Sequence, residues 1–424
     1  MSPSGSHHLS HHLSRRLAII ALVLLGGVLI AGWAYQRELR RIWFVLHVFD
    51  GSEQAEHFRH MDQIFPVRVF HRSGPESVLP IGPALNMPSS YVFDGQSKST
   101  TKLLEDTDTT GLLVMRNGQI VHEHYGRGND ASSHAMSWSV GKSVVSLLVG
   151  LAVQDGLIQS IDDPLTRYAP ELAGTAYEGV SLKQALQMSS GVRWSEDYSN
   201  SDSDVMRFGR TFALGGSLVN FARTLPREHA PGTFNRYNSL DVQVLGLALR
   251  HATGLPLATY LEKRLWSRMG MSADGDWLLD DTGTEFAAGG INVTLRDYAR
   301  IGQLCLQNGR WQGEQLVPAA WIAASHHPDA PHLLPGARAN ADSPFGYGYL
   351  WWVPEAVDGP YTAMGVYNQF IYIDPAHQVV IAKTSANHRY GTTNDETSFR
   401  EAETLALFKA ITSALDLQSS SKAD

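Results

Sequence analysis

The 424-residue sequence has little of what several protein classes require, and each shortage narrows the field. It contains a single cysteine, so an internal disulfide framework is impossible. Basic residues do not dominate, because 34 Lys and Arg stand against 42 Asp and Glu, for a net charge of −8. A nucleic-acid partner is therefore not expected, since that interaction needs a basic face. Neither a metal nor an organic cofactor is expected.

The residues that often bind metals occur here in settings that favour other roles. Cys305 lies in RDYARIGQLCLQNGR, whose helical spacing predicts a small buried hydrophobe rather than a reactive thiol. The cluster HHLSHHL, His7–Leu13, could bind a metal, but residues 1–16 are predicted to be a disordered polar tail. Residues 416–424 are predicted to be a second disordered tail.

Only one long hydrophobic run is present, and it extends without a charge from Leu17 to Tyr35. Its length is close to that of one bilayer crossing. A cleaved signal peptide with a site at Gly32-Trp33-Ala34 and a buried core helix are the alternatives, but an uncleaved transmembrane anchor over 17–35 is favoured. Orientation is not defined by charge, because arginines flank both ends: Arg15, Arg16, Arg37, Arg40 and Arg41.

The remaining chain divides into a lead-in and a domain. Residues 36–105 are rich in Pro, Gly and Ser and are predicted to be an irregular lead-in. Asn117-Gly118 between two alternating apolar runs predicts a hairpin with a type I′ turn. His122 and His124 share one face of its second strand, which is more typical of a solvated face than of a metal pair.

Helical patterns fill the middle of the domain and strands recur at its end. Helices are predicted from Ser139 to about Gly156, in SLKQALQMSS and in SLDVQVLGLALRHATG, and QFIYIDPAHQVVIAKTS predicts strand, turn and strand. We therefore predict an α+β fold, an α/β sandwich over 106–415. Its antiparallel sheet is built from both ends of the region and flanked by helices, with an inserted helical portion.

The segment SWSVGKS admits two chemical interpretations. Gly141-Lys142-Ser143 could end a phosphate-binding loop, but such a loop needs a glycine where Met136 stands. Ser139-x-x-Lys142 instead places a nucleophile and a base one helical turn apart. Burial of Lys142 would help it to lose its proton, and the helix N-terminus would favour negative charge at Ser139. This interpretation is favoured, although the spacing alone is a weak signal.

A serine–lysine pair usually works with a third proton-carrying group. Tyr237 follows a Pro-Gly turn and precedes a predicted helix, which would hold it rigidly, so it is favoured over Tyr198. Tyr198 lies in a Ser- and Asp-rich loop better suited to contacting substrate. Other hydrolase schemes lack their motifs, since neither Gly-x-Ser-x-Gly nor His-Glu-x-x-His occurs.

As an ordered set, these motifs resemble the serine β-lactamase and penicillin-binding superfamily. The resemblance covers roughly residues 105–412 and is nearest to the esterase and 6-aminohexanoate-dimer hydrolase branch. It rests on Ser139-x-x-Lys142, Tyr237, LQMSSGV, WSEDY, GGINVTLRDYARIGQL, YGYLWW and IYIDPAHQVVI.

The resemblance implies an acyl-enzyme mechanism with Ser139 as nucleophile, Lys142 as its base and Tyr237 as the proton donor. It places the oxyanion between the backbone N–H groups of Ser139 and Val366. The family's third motif, usually Lys-Thr-Gly, aligns with Ala363-Met364-Gly365.

Two departures from the family pattern bear on substrate. Ala363 and Met364 cannot hold a substrate carboxylate, so efficient β-lactam turnover is not expected. Ser239 stands where Tyr-x-Asn usually has Asn, and an Asn side chain offers more hydrogen bonds than a hydroxyl. Tyr198, Ser239, Met364 and Gly365 are the predicted substrate-binding residues.

The sequence therefore predicts a membrane-anchored serine hydrolase of small amides or esters. We expect a single span in the inner membrane, with the catalytic domain periplasmic or extracellular. A β-lactamase or D-Ala-D-Ala carboxypeptidase-like enzyme and a catalytically silent binding or sensor domain are the alternatives.

Overall fold

The computed structural model describes residues 15–27, 32 and 35–420. Most of the predicted N-terminal tail, residues 28–31 and 33–34 of the predicted anchor, and residues 421–424 therefore lie outside the described residues. Residues 15–27 are helical. No helix in the described part of the chain is both long and apolar enough to cross a membrane. The chain divides into two compact units, Met1–His47 and Val48–Asp424.

The second unit contains nearly all of the regular structure. The strands are β1 Val67–Phe70, β2 Ser90–Phe93, β3 Gln96–Ser99, β4 Thr109–Arg116, β5 Gln119–Tyr125, β6 His134–Met136, β7 Gly275–Leu278, β8 Ile291–Thr294, β9 Arg310–Trp311, β10 Glu314–Gln315, β11 Gly346–Tyr347, β12 Trp352–Val353, β13 Tyr361–Gly365, β14 Gln369–Asp374 and β15 Val379–Ser385. The helices, of which α1 belongs to the first unit, are α1 Gln36–His47, α2 Gln54–Arg59, α3 Thr100–Asp106, α4 Val140–Gln154, α5 Leu165–Tyr168, α6 Leu182–Leu186, α7 Asp204–Ala213, α8 Leu218–Ala222, α9 Ser239–Thr253, α10 Leu257–Arg264, α11 Leu295–Leu306, α12 Ala319–Ser325, α13 Glu396–Phe399 and α14 Glu401–Ser420.

The main sheet has seven antiparallel strands in the order β11-β12-β13-β14-β15-β4-β5. Strand β4, early in the domain, pairs with β15, near its end, with Val114 opposite Ile381. The sheet is thus assembled from both ends of the region, and the predicted α+β fold is confirmed. Phe408 and Ile411 of α14 pack into the same apolar cluster as Val114 and Ile381. Helix α11 also packs on β4, β14 and β15.

The local predictions within the domain are confirmed in most places. Asn117 and Gly118 have φ of 50° and 75°, which is the backbone of a type I′ turn. Helix α4 follows Ser139 and α9 spans Ser239–Thr253, both as predicted. Cys305 is buried on α11 with 1% exposure, and this burial raises the pKa of its thiol.

Two predictions of irregular structure are wrong. The lead-in 36–105 contains helices and strands, and β1 pairs with β7 at the edge of a second, four-stranded sheet of order β1-β7-β8-β6. Its Pro and Gly residues punctuate these short elements rather than preventing them. At the other end, α14 continues to Ser420. Within the segment predicted to be disordered, Asp416 pairs with Arg116 and the side-chain amide of Gln418 donates to the Ala84 carbonyl oxygen at 2.7 Å.

Candidate active site

Ser139 occupies the N-cap position of α4, immediately after β6 and a two-residue turn. A serine at this position normally caps the helix with its hydroxyl, but here the side chain makes no capping bond. The hydroxyl instead accepts a hydrogen bond from Lys142 and lines a cavity of about 590 Å³. The fold therefore leaves the Ser139 oxygen available to a molecule in that cavity.

Lys142 is 2% exposed and lies one helical turn beyond Ser139. Its Nζ is 2.7 Å from Ser139 Oγ and 2.5 Å from the Ala288 carbonyl oxygen. Burial lowers the pKa of Lys142 to about 8, although the negative charge of Glu196 acts in the opposite direction. A substantial fraction of Lys142 is therefore neutral near physiological pH, as a general base requires.

The Tyr237 ring packs beside Lys142, with the Lys142 Nζ 5.3 Å from the centre of the ring. The ring stacks on Trp352 with centroids 5.0 Å apart. Burial raises the pKa of the Tyr237 hydroxyl well above its usual value, as does the charge of Glu196, whereas a hydrogen bond with the Ser139 side chain opposes the rise. Tyr237 therefore keeps its proton in the pH range where Lys142 loses one.

The backbone of the Tyr237 loop is fixed by the segment that contains Met188. The Arg236 N–H donates to the Met188 carbonyl at 2.9 Å, and the Asn238 N–H contacts the Met188 sulfur at 3.3 Å. The Asn238 side chain then caps α9 by accepting from the Leu240 N–H at 2.9 Å. These bonds explain how the sequence holds Tyr237 rigidly just before a helix.

The end of β13 reaches the backbone of Ser139. A Cβ atom added to Gly365 would lie 3.1 Å from the Ser139 nitrogen and 2.9 Å from the Ser137 carbonyl oxygen. Glycine at 365 thus permits a close approach of two backbones that any larger residue would separate. Val366, which follows Gly365, lines the same cavity as Ser139.

Six of the eight predicted site residues line this one cavity: Ser139, Tyr198, Tyr237, Met364, Gly365 and Val366. The other two lie behind it. Lys142 is beneath Ser139, and the hydroxyl of Ser239 donates to Glu196 Oε1 at 2.6 Å. The hydroxyl proton of Ser239 is therefore engaged by Glu196, and the contact of Ser239 with substrate stays a prediction.

Glu196 is the main residue that the sequence interpretation missed. Its carboxylate accepts hydrogen bonds from the Tyr198 hydroxyl at 2.7 Å, from the Ser239 hydroxyl and N–H, and from the Trp194 indole. It therefore links the WSEDY loop to the first turn of α9, directly after Tyr237. The segment WSEDY, Trp194–Tyr198, was noted for its resemblance to the family, but that resemblance gave Glu196 no role.

Glu401 also lines the cavity and is connected to this loop through Tyr390. The Tyr390 hydroxyl donates to it at 2.7 Å, and the Tyr390 ring packs edge-on against Tyr198. Burial raises the pKa of Glu401 to about 7. Neither Tyr390 nor Glu401 belongs to a motif with regular spacing, so sequence patterns alone gave no reason to select them.

The fold and this cleft define a known class of protein. The sequence model of the β-lactamase family matches residues 100–406, which is more than half of the 424 residues. The chain therefore belongs to the β-lactamase family and is a serine hydrolase.

Individual relatives place the chain more closely. The 6-aminohexanoate-dimer hydrolase of Paenarthrobacter ureafaciens is 27% identical over 349 residues, covering 80% of this chain and 87% of that protein. Esterase EstB of Burkholderia gladioli is 32% identical over 143 residues, which cover 31% of this chain and 36% of the esterase. A solved structure from Bacillus anthracis, provisionally assigned as a 6-aminohexanoate-dimer hydrolase, has a TM-score of 0.77 and 23% identity, covering 87% of this chain and 96% of that one. That structural likeness shows the fold.

Proposed function

We propose that this protein cleaves amide or ester bonds through an acyl-enzyme on Ser139. The observation that carries the proposal is the 2.7 Å hydrogen bond between Lys142 Nζ and Ser139 Oγ in the wall of a cavity. Neutral Lys142 accepts the serine proton as Ser139 Oγ attacks the carbonyl carbon of the substrate. The negative charge on the carbonyl oxygen is then stabilised by the N–H groups of Ser139 and Val366.

Release of the amine or alcohol, which completes formation of the acyl-enzyme, needs a proton donor. Tyr237 gives its proton to the departing amine or alcohol as the C–N or C–O bond breaks, and Lys142 returns a proton to Tyr237. Water then attacks the acyl-enzyme, its proton passes to the same pair, and Ser139 leaves with a proton restored. The opposite pKa shifts of Lys142 and Tyr237 support this division into base and acid.

The chemistry of the third motif supports a preference for neutral acyl groups. Ala363 and Met364 lie on β13, and Met364 is among the residues that line the cavity. A substrate carboxylate at Met364 would lose water without gaining a charged partner. Of the two arginines in the wall, Arg236 is already paired with Glu228 and Asp342. Short esters and open-chain amides avoid this cost, so a β-lactamase or D-Ala-D-Ala carboxypeptidase-like activity ranks second.

The test is a comparison of the natural protein with Ser139→Ala on a p-nitrophenyl acyl ester, linear amide oligomers and a chromogenic cephalosporin. We expect the variant to fold and to lose on the order of a millionfold in turnover. We expect the ester to exceed the cephalosporin at least about tenfold in kcat/KM, as the loss of a charged hydrogen bond implies. Near-normal turnover by Ser139→Ala would refute the nucleophile. Equal lactam turnover would point to Arg193, the other arginine in the wall.

A catalytically silent domain is the third possibility. It is disfavoured because Ser139, Lys142 and Tyr237 are all present and in contact. A fluorophosphonate probe separates the two cases, since a silent domain would give no adduct on Ser139.

We further propose that residues 17–35 anchor the protein in the inner membrane, with the catalytic domain periplasmic or extracellular. The support is the uncharged run itself together with the helix that follows it. In α1, Leu39, Ile42, Trp43 and Leu46 form an exposed apolar stripe at helical spacing, between 45% and 71% exposed. Such a stripe beside arginines is typical of a helix that lies at an anionic membrane surface. Recovery of the full-length protein in the soluble fraction would refute the anchor.

A further inference from the structure

Four aromatic rings pack together beside the nucleophile. Phe49 and Phe58 come from the lead-in, and Trp138 and Tyr367 come from the hydrolase domain. The centroid of the Phe58 ring is 5.1 Å from those of both Trp138 and Tyr367, and the Phe49 ring stacks on Tyr367 at 5.4 Å. Trp138 and Tyr367 are themselves 4.9 Å apart. We call these four side chains the ring cluster.

Trp138 and Tyr367, the inner rings of the cluster, are next in sequence to the two residues whose N–H groups are proposed to bind the oxyanion. Trp138 directly precedes Ser139, and Tyr367 directly follows Val366. Both have left-handed backbones, with φ of 44° for Trp138 and 63° for Tyr367. Bulky residues rarely adopt this conformation and keep it only when the surrounding structure holds them in place.

The backbones of the inner rings are held from a second direction as well. A Cβ added to Gly289 would lie 2.7 Å from the Trp138 carbonyl group, so the backbone at Gly289 packs directly against the backbone at Trp138. The Asn387 N–H donates to the Tyr367 carbonyl oxygen at 3.4 Å. The outer rings, Phe49 and Phe58, pack against the inner rings from the lead-in. Phe58 contacts both Trp138 and Tyr367 and is only 5% exposed.

Phe49 and Phe58 lie outside the 100–406 range that matches the family, so the ring cluster joins an additional segment to the family's catalytic domain. We propose that Phe49 and Phe58 are positioning residues, which hold Trp138 and Tyr367 so that the Ser139 and Val366 N–H groups point at one oxyanion. The proposal rests on the function proposed above for Ser139. Because these N–H groups act most strongly in the transition state, their misplacement slows the chemical step more than it weakens binding.

The experiment compares Phe58→Ala with Phe65→Ala in the full-length protein. Phe65 is a matched control, because it is also a lead-in phenylalanine with 5% exposure but stacks on Phe212, away from the ring cluster. For a p-nitrophenyl acyl ester we expect Phe58→Ala to lower kcat at least about tenfold with KM little changed. We expect Phe65→Ala to lower Tm similarly but to keep kcat within about threefold of the natural protein.

A third variant keeps the proposal testable if Phe58→Ala does not fold. Phe49 is 47% exposed, so Phe49→Ala removes a ring from the cluster with little loss of buried surface. It should also lower kcat, by a smaller factor, whereas Phe49→Tyr should restore the rate because it retains the ring. Normal kcat in both folded alanine variants, or equal losses in Phe65→Ala, would overturn the positioning role.

The rate of fluorophosphonate labelling at Ser139 provides a readout that does not depend on the substrate. The phosphonyl oxygen occupies the oxyanion position, so Phe58→Ala should slow labelling about as much as it slows turnover. If the natural protein labels rapidly at Ser139 but cleaves none of the esters or amides, the proposed substrate class is wrong. Slower labelling of Phe58→Ala would still support the ring cluster in that case, and unchanged labelling would refute it.

Discussion

Two lysines of this protein are buried to nearly the same extent but occupy different surroundings. Lys142 is 2% exposed and Lys383 is 1% exposed, and burial lowers the pKa of both. Lys142 donates to Ser139 Oγ and to the Ala288 carbonyl oxygen. Lys383, on β15, donates instead to Thr107 Oγ1, to the Ser385 hydroxyl, and to both the carbonyl and side-chain oxygens of Asn368.

The difference shows that burial alone does not identify a catalytic base. Lys142 is hydrogen-bonded to the Ser139 hydroxyl, which faces a cavity. Loss of a proton from Lys142 therefore makes the serine a better nucleophile toward a molecule bound there. Lys383 contacts only groups of the protein and ties β15 to the turn at Asn368, whose φ is 74°. We interpret Lys142 as a catalytic base and Lys383 as a structural residue, although burial shifts their pKa values in the same direction.

The largest expected effect comes from replacing each lysine in turn by methionine. Lys142→Met should lower kcat/KM by about two to four orders of magnitude, because the serine loses its base. Its Tm should change little, because two effects oppose each other. The Ala288 carbonyl oxygen loses its donor, which costs about 1–3 kcal/mol. The pKa of Lys142 is lower in the folded chain than in the unfolded chain, so the lysine costs stability below its unfolded pKa, and in full below about pH 8, and methionine avoids that cost.

Lys383→Met should give the opposite pattern. Burial lowers the pKa of Lys383 too, so methionine also removes the cost of a buried charge here. More hydrogen bonds are lost, because Thr107, Ser385 and both Asn368 oxygens lose their donor at about 1–3 kcal/mol each, so Tm should fall clearly. The folded fraction should keep kcat/KM within about tenfold of the natural protein. Thermal unfolding and ester turnover measured on both variants provide the test. If Lys383→Met loses as much activity as Lys142→Met without unfolding, the distinction between the two lysines fails.

The two lysines also show how far the sequence could lead. Lys142 was found because Ser-x-x-Lys has a fixed spacing on one helix, and such local spacing is visible in the chain. Lys383 lies in a plain strand pattern, and its partner Asn368 becomes a neighbour only when β14 and β15 pair. An antiparallel sheet built from both ends of the region was predictable because the turn signals between β4 and β5 and between β14 and β15 are local. Strands β11, β12 and β13 of the same sheet were not predicted from such signals.

Contacts between distant segments were not predictable. Glu196 meets Ser239 across 43 positions, and Phe58 meets Trp138 across 80, with no pattern that links either pair. The lead-in was predicted to be irregular from its Pro, Gly and Ser content, but β1 forms there by pairing with β7, which is far away in sequence. Tertiary packing therefore decided those elements, rather than local propensity.

The next effect concerns pH, and it follows from the pKa of Lys142 alone. Because the base must be neutral, kcat/KM should rise about tenfold per pH unit up to about pH 8 and then level off. Glu401, with a pKa raised to about 7, could produce a limb of its own. Glu401→Gln is therefore the control, and it should leave the limb at about pH 8 in place. A profile that is flat between pH 6 and 9 would contradict the assignment of Lys142.

The smallest effect tests whether the surroundings of Lys142 tune it, as the comparison with Lys383 requires. The charge of Glu196 raises the pKa of Lys142, against the effect of burial. Glu196→Gln removes that charge but keeps an oxygen that can accept from the Ser239 and Tyr198 hydroxyls. The limb of the kcat/KM profile should then move to lower pH, by up to about one unit. Since the Ser239 N–H and the Trp194 indole also donate to Glu196, kcat at the plateau should fall moderately. A limb that stays in place or moves to higher pH would show that Glu196 acts only by holding the WSEDY loop against α9.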